Sequence, residues 1–373
     1  MDFQKHIDTV WPMLHALAEP AFQEFKTAAY LADYLRQLGY DVEENVGGTT
    51  GVVAVYDSGA AGPTVAVRTD MDCLLFKQED GSLKAVHACG HDGHMTIALG
   101  VAKLLKEQGL PCGRIKILCQ PAEEIGRGAL ALLEAGALDD VQYALGYHLM
   151  PEDLARSGQI IAQLNWTACT LMEGEIRGLA AHGSQPHLGV NAIDVGAAIV
   201  GAVNALHTNP LLCGSVKTTR FIGGAGSLNA ICDKVQIGFD LRSTSNAEML
   251  ELRQKVMELV ANTAKVYGAE ASCHIVGTCP AAEADPSLQA VTCDTIVSEL
   301  GSGALIPSIS ITVGEDFNFF KEQRPSLKTA SLGIGCDLTP CLHDPEMRFD
   351  HSALAGAIKV LAALTVRILQ ERP

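Results

Sequence analysis

The sequence contains no Cys-x-x-Cys pair, no internal repeat, no low-complexity or linker tract, and nowhere an unbroken run of the roughly 18 apolar residues that a membrane-spanning helix needs. Each absence removes a class of protein. Without Cys-x-x-Cys, structural zinc ribbons and thioredoxin-type redox motifs are excluded. The 12 cysteines are scattered, the nearest two being Cys336 and Cys341, so a disulfide framework is not expected and most should be small, reduced core residues. The opening stretch MDFQKHIDTVWPMLHALAEP lacks a basic start, an apolar run of signal length and a small-residue cleavage site, so no export is expected and the protein should reside in the cytoplasm. Basic residues are also scarce, 27 against 43 acidic ones, for a net charge of −16. That balance disfavours nucleic acid and anionic membrane surfaces as partners.

What is present describes a globular chain. Hydrophobic residues make up 48% and charged ones 19%, enough to bury cores and too little charge for disorder. At 373 residues the chain exceeds the roughly 250–300 at which single cores stop growing, so two domains are expected. Residues 27–38 place Ala28, Leu31, Leu35 and Leu38 on one helical face, with Gly39 at the cap. TVAVRTD (64–70), RIKILCQ (114–120) and YALGYH (143–148) read as strands, alternating with helices over 94–108 and 128–135. Such alternation implies an α/β fold with a mostly parallel sheet.

From about Thr167 to about Thr278 the rhythm becomes strand, helix, strand, strand, helix, strand, over 168–177, 190–207, 216–222, 232–242, 246–267 and 270–277. This β-α-β-β-α-β order is the ferredoxin-like pattern. Afterwards come a helix over 287–300, a short helix from Asp316, a strand over 329–335 and a long helix from His351 capped by Asp350. The expected organisation is a discontinuous larger domain, 1–166 with 279–373, interrupted by a smaller inserted one, 167–278.

Ligands of open α/β sheets sit beyond the carboxyl ends of the strands. Metal-binding residue types gather there in this sequence. Asp70 and Asp72 follow the first strand, Glu123 and Glu124 the second, His148 closes the third, and His343 follows 329–335. Before the helix at 94 stands H-A-C-G-H-D-G-H, with His87, Cys89, His91 and His94. A lone strand-end histidine, a lone buried cysteine or a Glu-Glu pair at a helix start is ordinarily structural. Four strand ends delivering acids, histidines and one cysteine together point to a hydrolytic metal site, since zinc, manganese, cobalt and nickel all accept this donor set.

These residues resemble the dinuclear metallo-hydrolases of the aminoacylase and metal-dependent carboxypeptidase type, specifically the branch of hippurate hydrolases and auxin-conjugate amidohydrolases. The markers are R-T-D-M-D (68–72), H-A-C-G-H-D-G-H (87–94), Q-P-A-E-E (120–124), G-Y-H (146–148), H-G-S-Q-P-H-L-G-V-N-A-I (182–193), N-A-I (229–231), G-E-D-F (314–317) and L-H-D-P (342–345), spread over nearly the whole chain. The resemblance implies that Cys89, His91, Glu124, His148 and His343 bind two divalent ions (Mn²⁺, Zn²⁺, Co²⁺ or Ni²⁺), with Glu123 as general base and Asp70 behind the ligands. It implies an inserted domain acting as a lid, where His182 stabilises the oxyanion and Asn229 and Arg242 hold the substrate carboxylate. The implied activity is hydrolysis of the amide of an N-acyl-amino acid, or of a small peptide-like substrate, by a homodimer or higher homo-oligomer joined through the lid.

The sequence departs from the family pattern at three places. W-P-M-L-H-A-L-A-E-P (11–20) replaces the usual R-R-x-x-H-x-x-P-E, Cys232 stands where a proline is usual, and Gly314 where a serine is common. None is an implied ligand, so these bear on substrate choice. A thiol hydrolase with Cys89 as nucleophile and His91 or His94 as base would leave Glu123, Glu124, His148 and His343 without a role. A binding protein that had lost catalysis would be expected to have lost the base or a ligand, and all six positions hold suitable chemistry.

Overall fold

The runs TVAVRTD, RIKILCQ and YALGYH are separated by helical stretches, and connections of that length favour parallel pairing. In the computed structural model, which describes residues 1–224 and 226–370, they lie side by side at the centre of an eight-stranded sheet. Helices α1 (Phe3–His15) and α2 (Phe25–Gln37) precede strands β1 (Asp41–Val46), β2 (Gly51–Asp57) and β3 (Thr64–Asp70). Then come α3 (His91–Gln108), β4 (Arg114–Gln120), α4 (Gly128–Glu134) and β5 (Tyr143–Pro151). The next stretch is β6 (Ala168–Arg177), α5 (Ala192–Asn204), β7 (Ser215–Gly223), β8 (Lys234–Ser243), α6 (Asn246–Val266) and β9 (Glu270–Cys279). Helix α7 (Pro286–Leu300), β10 (Lys328–Leu338) and α8 (Leu354–Gln370) follow. The chain divides into two compact units, Met1–Asn165 with Glu283–Ile311 and Asp316–Pro373, and Trp166–Ala282 with Thr312–Glu315.

In the first unit, β4, β3, β5 and β10 pair in parallel in that order. All seven residues of β3 are buried, as a strand covered on both faces requires. The margins differ from the mostly parallel sheet expected from sequence. β1 and β2 pair antiparallel with each other and β2 antiparallel with β4, while Ile160–Ile161 runs antiparallel to β10 on the other side. β1, DVEENV, is the exposed edge, and its acids discourage further pairing. The C-terminal helix has the length and apolar content of a membrane span by composition alone. Burial accounts for that composition, because Leu354, Ala357, Ile358, Leu361, Leu364 and Ile368 are all buried in the core shared with Leu99, Ala102 and Leu105 of α3.

In the second unit the element order is βαββαβ and the sheet order β7-β8-β6-β9, antiparallel throughout. Alternate residues Ala168, Met172 and Ile176 of β6 and Val235, Ile237, Phe239 and Leu241 of β8 form a core with Val195 and Ile199 of α5 and Leu252, Val256 and Val260 of α6. The intervening residues, including Cys169, Leu171, Glu173, Asp240 and Arg242, point to the opposite face.

Candidate metal centre

The parallel strands of the first unit end together, and their ends carry the chemistry. Helix α3 begins at His91 rather than at 94, so His91 and His94 both lie in its first turn, on neighbouring positions of one face. Gly90 makes this start possible. Its φ is +84°, and a Cβ there would come within 3.0 Å of Leu149 Cδ1, so the sharp turn between Cys89 and His91 needs a glycine. Two non-glycine residues beside the site also have left-handed backbones, Ala122 (φ 54°) and His343 (φ 65°). Each costs on the order of 1 kcal/mol or more and persists only where partners fix it. The Ala122 N–H donates to Glu24 Oε1 at 2.9 Å, and the His343 N–H donates to the Ala88 carbonyl at 2.7 Å.

The donors converge. Cys89 Sγ lies 3.4 Å from His148 Nε2, and His343 Nε2 lies 3.5 Å from Glu124 Oε2. Cys89, His91 and His148 form one set of candidate ligand atoms all within 4.8 Å of one another, and Cys89, Glu124 and His343 a second. Glu123 completes a third set with His91 and Glu124. His91 donates Nδ1–H to the Asp72 carbonyl at 2.8 Å, which turns the Nε2 lone pair inward, and His148 donates Nδ1–H to the Leu149 carbonyl at 2.7 Å with the same effect.

The geometry fits divalent metal. His91 Nε2 and Glu124 Oε1 are both buried with no hydrogen-bond partner among the described residues, and they lie 3.9 Å apart. Orphaned buried polar atoms are costly. An ion bound at about 2.0–2.2 Å from each would span that gap and satisfy both.

Electrostatics support the same assignment. Burial, reinforced by His94, holds His148 well below the ordinary histidine range, so it is the neutral imidazole that binds metals. Burial pushes the Cys89 thiol well above its ordinary range despite the nearby His91, and the Glu124 and Glu123 carboxylates push it further. Burial also raises Glu124, against the pull of His91 and His343. A cation between these groups would relieve all of these penalties.

A buried polar network supports the ligands from behind. Burial alone would raise Asp70, but His91, His94 and Arg68 outweigh it and hold the carboxylate well below its usual range. The Leu149 N–H donates to His94 Nε2 at 2.9 Å, so the His94 proton sits on Nδ1 and is donated to Asp70 Oδ1 at 2.7 Å. Arg68, 1% exposed, bridges Asp70 at 2.7 Å and Asp316 at 2.8 Å. Asp316 also accepts from Gln120 Nε2 and the Ala129 N–H.

Sequence reasoning singled out Asp72 only as a strand-end acid, and the structure gives it more to do. Asp72 Oδ1 accepts the Glu123 N–H at 3.1 Å and Oδ2 accepts the Glu124 N–H at 3.0 Å, so one carboxylate fixes both glutamates. Asp72, Arg68 and Asp316 fall inside the quoted R-T-D-M-D and G-E-D-F motifs, where a signal was available. Glu24, which accepts from Thr50 and anchors Ala122, carried none.

In the second unit, His182 and Asn229 come together on exposed loops. His182 Nε2 lies 3.5 Å from Asn229 Nδ2, and the Gly183 N–H donates to the Asn229 carbonyl. His182 Nδ1 accepts the Ser184 N–H at 3.1 Å, which leaves the ring proton on Nε2 as a donor. Arg242, expected to hold the substrate carboxylate, is already partnered by residues of its own unit. It grips Asp240 through Nε at 2.7 Å and Nη2 at 3.1 Å, and its Nη1 donates to the Thr312 carbonyl at 3.2 Å. Three of its five N–H groups are engaged, leaving one on each terminal nitrogen.

The sequence matches the model of peptidase family M20/M25/M40 over residues 66–367. The chain belongs to that family. It is 33% identical over 365 residues to a protein of Synechocystis sp. named only as a hydrolase, covering 94% of this chain and 92% of that one. It is 27% identical over 415 residues to the indole-3-acetyl-aspartic acid hydrolase of Enterobacter agglomerans, covering 96% and 95% of the two chains. Among solved structures, the YXEP protein of Bacillus subtilis, described as a dinuclear metal binding peptidase of the M20 family, superposes with a TM-score of 0.83 at 25% identity over 99% of both chains. The chain is thus a hydrolase of the M20 family with the α/β fold of its members and residues able to hold metal.

Proposed function

We propose that this M20-family hydrolase is a cytoplasmic enzyme that cleaves the amide bond of N-acyl-amino acids with two divalent ions. The observation that carries the reading is the pair of donor sets sharing Cys89, with His91 Nε2 and Glu124 Oε1 buried and unsatisfied between them. In this reading Cys89, His91, Glu124, His148 and His343 hold the ions. One thiolate and three imidazoles suit Mn²⁺, Zn²⁺, Co²⁺ or Ni²⁺ and disfavour Mg²⁺ and Ca²⁺. When bound, such ions supply a Lewis acid for the substrate carbonyl and make water acidic enough to attack at neutral pH.

The chain's own residues do the rest. Glu123, its backbone fixed by Asp72, takes the proton from the attacking water and returns it to the leaving nitrogen. Asp70 holds His94 and lies 3.7 Å from His91 Nε2, keeping that face of the site negative. His182 offers Nε2–H to the developing oxyanion. Asn229 and the two remaining N–H groups of Arg242 bind the substrate carboxylate, a task suited to a planar guanidinium. An N-acyl-amino acid presents the required amide and carboxylate together, and the Enterobacter relative is named for such a compound. Without a cation beside it, burial pushes the Cys89 thiol up, which disfavours a metal-free thiol nucleophile and suits a metal ligand instead. The proposal includes a homodimer through the second unit, whose edge strand β7 exposes Phe221 and Ile222.

The test is a panel of N-acyl-amino acids, varied in acyl group and then in amino acid, with dipeptides alongside, assayed with Mn²⁺ and Zn²⁺. Metal-dependent release of the amino acid from acyl substrates is expected. Glu123→Gln should lose about 10²–10⁴-fold in kcat with metal still bound. Cleavage of dipeptides alone would reassign the substrate class, and unchanged turnover in Glu123→Gln would remove the base from its role.

A further inference from the structure

Cysteines 169 and 279 are absorbed by none of the roles above. They are direct partners in the β6–β9 register, so both side chains project from the same face of the sheet, opposite the helices. Arg242 is the partner of Cys169 on the other side, which sets a guanidinium, a thiol and a second thiol in one row. The strands are pinned next to this pair. Thr170 and Thr278 Oγ1 lie 3.1 Å apart, and Arg253 donates to both, at 2.8 Å to Thr170. Directly opposed residues of antiparallel strands have Cα atoms about 4.5–5.5 Å apart, inside the roughly 4.4–6.8 Å that a disulfide spans.

Gly314 now has a physical reason. A Cβ at this position would come within 2.9 Å of Cys169 Sγ and 3.2 Å of Cys279 Cβ. The serine common at this place in the family would collide with the pair, so the glycine and the two cysteines fit as a set. The thiols are only partly buried, open to a small oxidant.

We propose that Cys169 and Cys279 form a reversible dithiol–disulfide site that reacts with hydroperoxides. The thiolate of Cys169 attacks a peroxide oxygen. The O–O bond breaks, the leaving oxygen departs with a proton as water or alcohol, and Cys169 becomes a sulfenic acid. The Cys279 sulfur then attacks that sulfur, forming the S–S bond as the S–O bond breaks and water leaves with the thiol proton. Two thiols supply two electrons and the peroxide accepts them. The local chemistry agrees, since the hydrogen bond with Cys279, followed by the Arg242 cation, holds Cys169 below the ordinary thiol range. Burial pushes Cys119 and Cys336, by contrast, up to about 12.

The experiment treats the full-length, metal-loaded chain with hydrogen peroxide, alkylates the remaining thiols and maps the peptides without reduction. The expected result is a linked peptide pair joining Cys169 to Cys279, with both alkylation sites lost together, restored by dithiothreitol, while exposed Cys213 and Cys341 stay alkylatable. Cys279→Ser should instead accumulate a dimedone-reactive sulfenic acid at Cys169. If that variant fails to fold, the wild-type map decides alone. Loss of Cys169 no greater than that of Cys213, or linkage of Cys169 to any other cysteine, would overturn the proposal.

Discussion

Replacing Asp72 by Asn exchanges one carboxylate oxygen for an NH₂ group and tests how the two glutamates are held. The native carboxylate spends one oxygen on the Glu123 N–H and the other on the Glu124 N–H. Asparagine keeps one acceptor and turns an NH₂ group toward the other N–H, so one hydrogen bond to a charged acceptor is lost. Such a bond contributes about 1.5–3 kcal/mol. If that energy maintains the working position of Glu123 and Glu124, kcat/KM should fall between roughly tenfold and a hundredfold, because about 1.4 kcal/mol corresponds to a factor of ten. The assay is kcat/KM for the best acyl substrate at saturating metal, with circular dichroism to confirm the fold and metal analysis to separate misplacement from metal loss. Asp72→Asn with full metal and wild-type kcat/KM would refute the assigned role.

Three other perturbations probe different parts of the molecule. Stripping the protein with a chelator should lower Tm by roughly 5–10 °C relative to protein held at a hundredfold excess of metal over Kd, with recovery on adding Mn²⁺ or Zn²⁺; a scan in which Tm ignores both treatments would contradict binding at the centre. Arg68→Met leaves Asp70 and Asp316 buried without their shared cation, so urea denaturation should show a loss of about 3–5 kcal/mol, and a loss below about 1 kcal/mol would show that the network is not stabilising. His15 donates to Asp92 at 2.7 Å, and that bond raises its pKa above 6.5. A histidine raised in the folded state stabilises fully below its unfolded pKa and stops doing so as pH climbs through the folded value. The stability gap between wild type and His15→Ala should therefore be widest near about pH 6 and close in alkaline solution; a gap that widens with pH would reverse the assignment.

Much of this architecture was legible because local patterns carry it. β3 and β4 coincide with the apolar runs at 64–70 and 114–120, and the βαββαβ order appears in sequence as a change of rhythm. The start of α3 was not legible, since H-D-G-H holds a glycine and reads as loop, and only the packing of Leu149 against Gly90 shows where the turn must fall. The antiparallel margin was hidden because DVEENV is an exposed, acidic edge with little hydrophobic alternation. Long-range partners leave no local trace. Glu24 supports Ala122 from 98 residues away, and His182 meets Asn229 across 47 residues of chain. The grip of Arg242 on Asp240 was readable in principle, because residues two apart on a strand share a face.

Anomalous diffraction from crystals grown with Zn²⁺ or Mn²⁺, collected at the absorption edge, tests the metal assignment most directly. Two peaks are expected within bonding distance of Cys89, His91, Glu124, His148 and His343, with Glu123 facing them and bound to neither. Absence of density among these side chains at saturating metal, or ions held only by other residues, would contradict the proposed centre.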